Sequence, residues 1–377
     1  MDGSIPFWMY ILGFPLLLGP LVTLHELGHY LVGRWFGVHA EAFSVGFGKE
    51  LAGFTDKRGT RWKLSALPLG GYVQFKGDMN PASIPDKKEI AAVPPNERAG
   101  NFHFAALWKR ALIVFAGPAM NILITVGIFA AFFMSYGAPG AADPSQSNVV
   151  TSFAETSVAR DAGLREGDRI VSIDGEATPQ FQDIQDKVLM YPDRRVALGV
   201  ERDGEAIEIP VTIGNSVETD RFGNTSRVGR LGVMSSQLAF KPVGPIEAVA
   251  MAGKQSVGLV DMMITGIAQI FTGERSVQEL GGPVKIAKFS GEQLSMGPLA
   301  FINFAALISL NLAFINLLPI PALDGGHLAF YAAEAVRRKP LGARSTEIAY
   351  RAGVAVVLAL MVFVTVNDLV TLPVFGS

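Results

Sequence analysis

Residues 4–33 read SIPFWMYILGFPLLLGPLVTLHELGHYLVG, and apart from His25, Glu26 and His29 they contain no Asp, Glu, Lys, Arg or His. The hydrocarbon layer of a bilayer is about 30 Å thick and each helical residue rises about 1.5 Å, so roughly 20 apolar residues make a crossing. This stretch is long enough to be one. Ionisable side chains inside such a span are costly unless they are paired, solvated or bound to a metal. Residues four apart share one face of a helix, so His25 and His29 can grip one zinc ion while Glu26 addresses a water molecule and takes its proton. The spacing also arises by chance on surface helices, and a proton relay or imidazoles satisfied by neighbouring helices are further readings. Its place in an otherwise uncharged span is what points to a metal.

Outward from this span, the 377 residues are 49% hydrophobic and 18% charged. That is too apolar for an ordinary soluble protein and too charged for one lying wholly in lipid. Three more stretches qualify as spans: 111–142 and 293–323, neither with a charged residue, and 348–369, interrupted by Arg351 and Asp368. The first span has no Lys or Arg ahead of it and no small-residue cleavage site, so it is expected to stay in the mature protein rather than act as a secretory signal. Lys and Arg crowd the loop between the first two spans, from Arg34 to Arg110 and including Lys87 and Lys88, and the loop Arg337, Arg338, Lys339 and Arg344 between the last two. Positive loops stay in the cytoplasm, which sends both termini and residues 143–292 to the other side. From Ile246 to Phe271 apolar residues recur at helical spacing among Glu247, Lys254 and Asp261. This predicts an amphipathic helix on the membrane surface, with a fifth span as the competing reading. The net charge of −2 with scattered Lys and Arg leaves no footprint for nucleic acid. With no cysteine in the chain, disulfides, thiolate ligands and thiol catalysis are excluded.

A catalytic zinc takes three protein ligands and keeps one position open. The third must therefore be another His, Asp or Glu, and the run NLLPIPALDGGH, residues 316–327, offers Asp324 and His327. Taken locally, Asp-Gly-Gly after two prolines is also simply a turn that ends a helix. Depth favours a ligand: His29 lies five residues before Arg34, within roughly 8 Å of the cytoplasmic end of its helix. With four spans the first and third run in the same direction, and Asp324 falls at the cytoplasmic end of the third. A fifth span over 246–271 would reverse the third and leave Asp324 on the wrong face. Asp324 is the best candidate and His327 its rival.

These residues resemble the site-2 protease family of intramembrane metalloproteases, most closely its bacterial regulator of sigma-E protease branch. The resemblance covers nearly the whole chain. It rests on His25-Glu26-Leu27-Gly28-His29, Gly46-Phe47-Gly48, Leu69-Gly70-Gly71-Tyr72-Val73, Ala116-Gly117-Pro118-Ala119-Met120-Asn121 and the run Asn316 to Gly326. It implies a zinc held by His25, His29 and Asp324, which ranks His327 second, with Glu26 as general base. Asn316 matches a position that contacts the substrate or its oxyanion, although an Asn beside two prolines also serves to satisfy backbone groups. Residues 70–76 alternate as a strand does, and Gly46-Phe47-Gly48 suggests a tight turn. The family places here a re-entrant β-structure that pairs with an unwound substrate, making Gly71, Tyr72 and Val73 substrate-binding residues. An ordinary cytoplasmic hairpin is the plainer reading. Whether Asn121 touches substrate or packs is open.

Residues 147–214 resemble the PDZ domains of bacterial proteases, with a Gly-Asp turn at Gly167-Asp168 before a buried strand and a second turn at Asp174-Gly175. Such a domain either recognises substrates by strand addition or caps the site sterically. The best-known sigma-E proteases carry two of them, and here one is visible. The resulting architecture is a polytopic α-helical membrane protein of four transmembrane helices, with a re-entrant β-structured loop and an inserted small α+β PDZ domain. Its parts are a first span with the His-Glu motif (1–35), the β loop (36–105), a second span (106–140), the PDZ domain (147–214), a tether and surface helix (215–292), a third span with the third ligand (293–326), a cytoplasmic loop (327–347) and a fourth span (348–371). The expected function is zinc-dependent cleavage of single-span membrane proteins in the bacterial inner membrane, such as a trimmed anti-sigma factor or remnant signal peptides. A catalytically inactive membrane PDZ scaffold is the alternative, and a metal or proton transporter is disfavoured by the uncharged second span.

Overall fold

The computed structural model describes residues 5–77, 93–95, 98–141, 147–220, 225–235 and 238–371. Lys87 and Lys88 of the basic loop lie outside them. Two compact units result, residues 1–129 with 275–377, and residues 130–274.

The first unit opens with α1 (Phe7–Trp35), which is helical through Pro15 and Pro20. Two long strands follow, β1 (Ala40–Thr55) and β2 (Arg61–Phe75). They are folded so that residues 42–45 pair with 71–74 on one side and with 61–64 on the other, while 50–55 pair with 61–65. Residues 71–74 therefore form a margin of the sheet. Gly46 (φ +90°) and Gly48 (φ +87°) lie inside β1. Residues 42–45 run in the same direction as 61–64 and residues 50–55 in the opposite one, so the chain reverses between 45 and 50, at the expected turn Gly46-Phe47-Gly48, where the two glycines supply the positive φ. Asp56, in the turn between the strands, accepts hydrogen bonds from the Arg58 and Thr60 amides (2.8 and 3.0 Å), Trp62 Nε1 (3.2 Å) and Tyr30 Oη (3.4 Å). The last of these ties the strand pair to α1. Phe43, Phe75, Phe102, Ile113 and Tyr30 share the core beneath it. Next comes α2 (Leu107–Tyr136), which meets α1 at Gly28. A Cβ there would lie 2.9 Å from the Ala116 carbonyl carbon, so only glycine permits the approach.

The second unit holds β3 (Ala138–Ala141), β4 (Ser152–Phe153), the short α3 (Val158–Asp161), β5 (Arg169–Ile173), β6 (Glu176–Ala177), α4 (Phe181–Leu189), β7 (Arg195–Arg202), β8 (Glu205–Thr212), β9 (Gly214–Thr219), β10 (Thr225–Arg230), β11 (Val233–Met234), β12 (Leu238–Lys241) and α5 (Pro245–Thr272). Its main sheet has the order β6-β5-β7-β8. Alternate residues of the strands, Ile170, Leu198, Val200, Ile209 and Val211 among them, enter one core with Ile184 and Val188 of α4. Asp174 (φ 49°) and Gly175 (φ 80°) make the β5–β6 turn at the expected place. The unit does not stop at residue 214. Leu231 is buried in its core, β11 pairs with β4 and β12 with β3, so the described residues between 215 and 241 contribute strands to the unit. Along α5, Ile246, Val249, Val257, Ile264 and Phe271 are exposed while Ala248, Ala252, Ser256 and Gln269 are buried.

The first unit resumes with α6 (Pro283–Ser295), α7 (Pro298–Leu317), α8 (Asp324–Arg337) and α9 (Ala343–Thr371). Asp324 is therefore not the end of the third span but the first residue of another helix, reached through residues 318–323. Most of the expected loop 327–347 is helical for the same reason: Pro319 and Pro321 stop α7, and the chain restarts at once. Among the described residues, α1, α2, α7 and α9 are long and apolar enough to cross a membrane. Thr125 Oγ1 of α2 donates to the Ala306 carbonyl, and Ser309 Oγ of α7 donates to the Asn121 carbonyl, both at 3.0 Å. Such bonds join helices where lipid offers no hydrophobic drive.

Candidate metal centre

On α1, His25 and His29 are one turn apart and both are buried. Their Nε2 atoms lie 3.2 Å from one another, and Asp324 Oδ2 lies 3.1 Å from the first and 3.6 Å from the second. Among the described residues these three form the one group of His, Asp and Glu side chains close enough to share an ion. The carboxylate arrives there because α8 folds back tightly. A Cβ at Gly326 would sit 2.7 Å from the Ile320 carbonyl carbon, and one at Gly325 would strike the Leu317 carbonyl oxygen. The two glycines after Asp324 thus let the first turn of α8 lie against the end of α7.

The donor set suits a metal. His29 Nδ1 donates to the Ile113 carbonyl at 2.8 Å, which leaves its Nε2 as a lone pair. His25 Nδ1 lies 3.3 Å from the amide nitrogen of Asn121, whose Oδ1 is buried without a partner. Turning that amide over satisfies both groups: Oδ1 accepts the Nδ1–H of His25, and Nε2 is again bare. Among the described residues Asp324 Oδ2 also has no hydrogen-bond partner. Three electron-pair donors facing one another in a buried place are unfavourable until a cation joins them. A second observation agrees. Gly117 of α2 faces the same point, and a Cβ there would lie 2.8 Å from His25 Nε2 and closer still to His29 Nε2. A site that the smallest possible side chain would fill is kept clear by glycine.

Around this point is a cavity of about 360 Å³. All eight residues singled out in the sequence line it: His25, Glu26, His29, Gly71, Tyr72, Val73, Asn316 and Asp324. Glu26 Oε2 accepts the Val73 amide at 3.1 Å, which brings the margin of β2 directly to the acid. His327 lines the cavity too, but its ring is held by Tyr350, whose Oη lies 2.6 Å from Nδ1 and 3.3 Å from Nε2. It is not part of the metal-sized group. Sequence reading left Asn121 without a role and did not single out Gly117 or Tyr350. Both Gly117 and Asn121 stand in the run Ala116 to Asn121 that carries the resemblance, which marks the segment without telling which residue leaves room and which meets an imidazole.

The family model described as "Peptidase family M50" matches residues 13–360. A candidate zinc metalloprotease of Agrobacterium fabrum is 45% identical over 367 residues, covering 96% of each chain. One of Rhizobium meliloti is 43% identical, covering 94% of this chain and 95% of the relative. Metalloprotease MmpA of Caulobacter vibrioides is 34% identical over 97% of this chain and 96% of its own. Among solved structures, the PDZ domain of an SdrC-like protein from Listeria innocua matches at 21% identity and a TM-score of 0.20, covering 25% of this chain and 99% of that one. At that score the match does not define the fold of the second unit.

Proposed function

The chain belongs to peptidase family M50 and is a multi-pass zinc metalloprotease, and from that premise we propose that it cuts single-span membrane proteins within their membrane segments. His25, His29 and Asp324 hold the zinc, and Glu26 is the general base. The observation that carries this reading is the convergence of the three donors beside Glu26 on a helix otherwise without charge. When bound, zinc supplies a Lewis acid that makes water nucleophilic near neutral pH and polarises the carbonyl it faces.

The remaining steps belong to the protein. A substrate helix hides its carbonyls, so it must unwind, and the margin of β2 at Gly71, Tyr72 and Val73 takes it as an added strand. Glu26 accepts a proton from the attacking water as the oxygen adds to the carbonyl carbon. The amide of Asn316 donates to the oxyanion. Glu26 then delivers the proton to the departing nitrogen as the C–N bond breaks.

The finer assignment is to the regulator of sigma-E protease branch, in a form with one PDZ domain. Residues 147–214 would form its centre on the outer side of a bacterial inner membrane and screen substrates, as the Lys- and Arg-rich loops on the other side support. Substrates would be anti-sigma factors already trimmed by another protease, or remnant signal peptides. Apolar residues exposed along α5 support its lying on the membrane surface.

The test co-expresses a membrane-anchored reporter with wild type, Glu26→Gln and Asp324→Asn. Cleavage by the wild type alone is expected. Equal cleavage in all three would overturn the assignment, and none in any would favour an inactive scaffold.

A further inference from the structure

The route by which the third ligand reaches the site includes one strained residue. In the turn over 318–323, Ala322 has φ +91°. A residue with a Cβ adopts that conformation only where its surroundings compel it. Part of that compulsion is local, since the Leu323 amide donates to the Ile320 carbonyl at 3.0 Å and closes a turn with Pro321 and Ala322 at its centre, and the last span packs against that turn. Tyr350 and Gly353 of α9 are three residues apart and so share a face, and they meet the chain on either side of Asp324. Gly353 packs on Pro321, three residues before the ligand: a Cβ there would lie 2.6 Å from the Pro321 carbonyl carbon and closer still to its oxygen. Tyr350, only 2% exposed, holds His327, three residues after the ligand, through the 2.6 Å bond to Nδ1. Farther along α9, Val356, Leu358, Met361 and Val362 are exposed apolar residues.

We infer that Tyr350 and Gly353 are positioning residues for the metal ligand Asp324. Gly353 lets α9 close on the turn, and Tyr350 fixes the first turn of α8, so that the carboxylate points to His25 and His29 with no freedom to swing away. Neither residue touches a ligand atom. The inference rests on the ligand set proposed above.

The test uses detergent-solubilised full-length protein and two readouts besides proteolysis: zinc affinity by chelator competition, and the visible spectrum of the cobalt-substituted site. Tyr350→Phe keeps the ring and removes the hydrogen bond; it should weaken zinc binding by up to about tenfold, the low end of the range for partners bonded directly to a ligand, because it acts through His327. Gly353→Ala should weaken it at least as much. Both should alter the cobalt spectrum, while Val362→Ala on the exposed side of α9 leaves both readouts unchanged. If Asp324→Asn loses zinc but Tyr350→Phe and Gly353→Ala keep wild-type affinity and spectrum, positioning by α9 is overturned even if their melting temperatures fall. If Gly353→Ala does not fold, Tyr350→Phe decides alone. If Asp324→Asn binds zinc as the wild type does, the ligand set is wrong and this inference falls with it.

Discussion

Two kinds of residue make the centre, those that supply electron pairs and those that supply room. His25, His29 and Asp324 are of the first kind, and Gly117 is of the second. Gly117→Ala should therefore abolish zinc binding without replacing a ligand: metal analysis should fall from about one zinc per chain to near zero while the helical circular dichroism is kept. A full zinc complement in that variant would mean that α2 does not approach the ligand nitrogens so closely. Glu26→Gln should do the opposite, keeping the zinc and lowering the cleavage rate by about 10²- to 10⁴-fold, the usual contribution of a positioned acid–base group. The first kind of residue was legible in the sequence because two of the ligands and the base lie within one turn of one helix. The second kind was not. The role of Gly117 is an absence of atoms, and it has meaning only once α2 is known to cross α1 at Gly28.

Among the elements, the margin of β2 is the part to which the proposed mechanism assigns the substrate. The Val73 amide points at Glu26 instead of at β1. Val73→Pro removes that donor and blocks one position of strand addition. Zinc content should be unchanged, and cleavage of a membrane-anchored reporter should fall by at least about tenfold, as loss of one hydrogen bond to a charged group is worth about 1.5–3 kcal/mol. Undiminished cleavage would show that substrate does not pair there. The period-2 pattern of 70–76 made this strand visible in advance, and the apolar stretches made α1, α2, α7 and α9 visible. The reversal of β1 at Gly46 and Gly48 was legible because two glycines one residue apart read as a turn; the pairing of 42–45 on both sides was not, because its partners come from two separate stretches of β2. Asp324 was placed at the end of a span because two prolines announce where α7 stops; nothing local announces that Gly325 and Gly326 begin α8 by folding back on it.

Across the whole molecule, the hydrophobic spans and the inserted unit are held by different forces. In the second unit Asp168 is buried beside Arg202, accepting from Nε at 2.7 Å and Nη2 at 2.6 Å, and from the Arg165 amide at 2.7 Å. Burial pushes its carboxyl up, but these bonds outweigh that and hold it below the ordinary Asp range. A folded pKa below the unfolded value of about 3.9 means stability that is fully present above that pH and lost as the pH falls through the folded value. Arg202→Ala should destabilise the unit at neutral pH by leaving the buried carboxylate without its guanidinium partner, and should flatten its acid dependence. Limited proteolysis within 147–234 of the intact chain would report both. The sequence indicated this unit through its turns but not its extent, because β11 and β12 are short and complete sheets begun far earlier in the chain. Zinc-dependent proteolysis within the membrane can be observed by reconstituting the purified zinc-loaded protein in lipid vesicles with a single-span substrate and mapping the new chain ends by mass spectrometry. Cuts inside the substrate's apolar segment, absent with Glu26→Gln and restored by zinc after chelation, are the predicted result; cuts confined to the flanking soluble regions, or equal with Glu26→Gln, would contradict it.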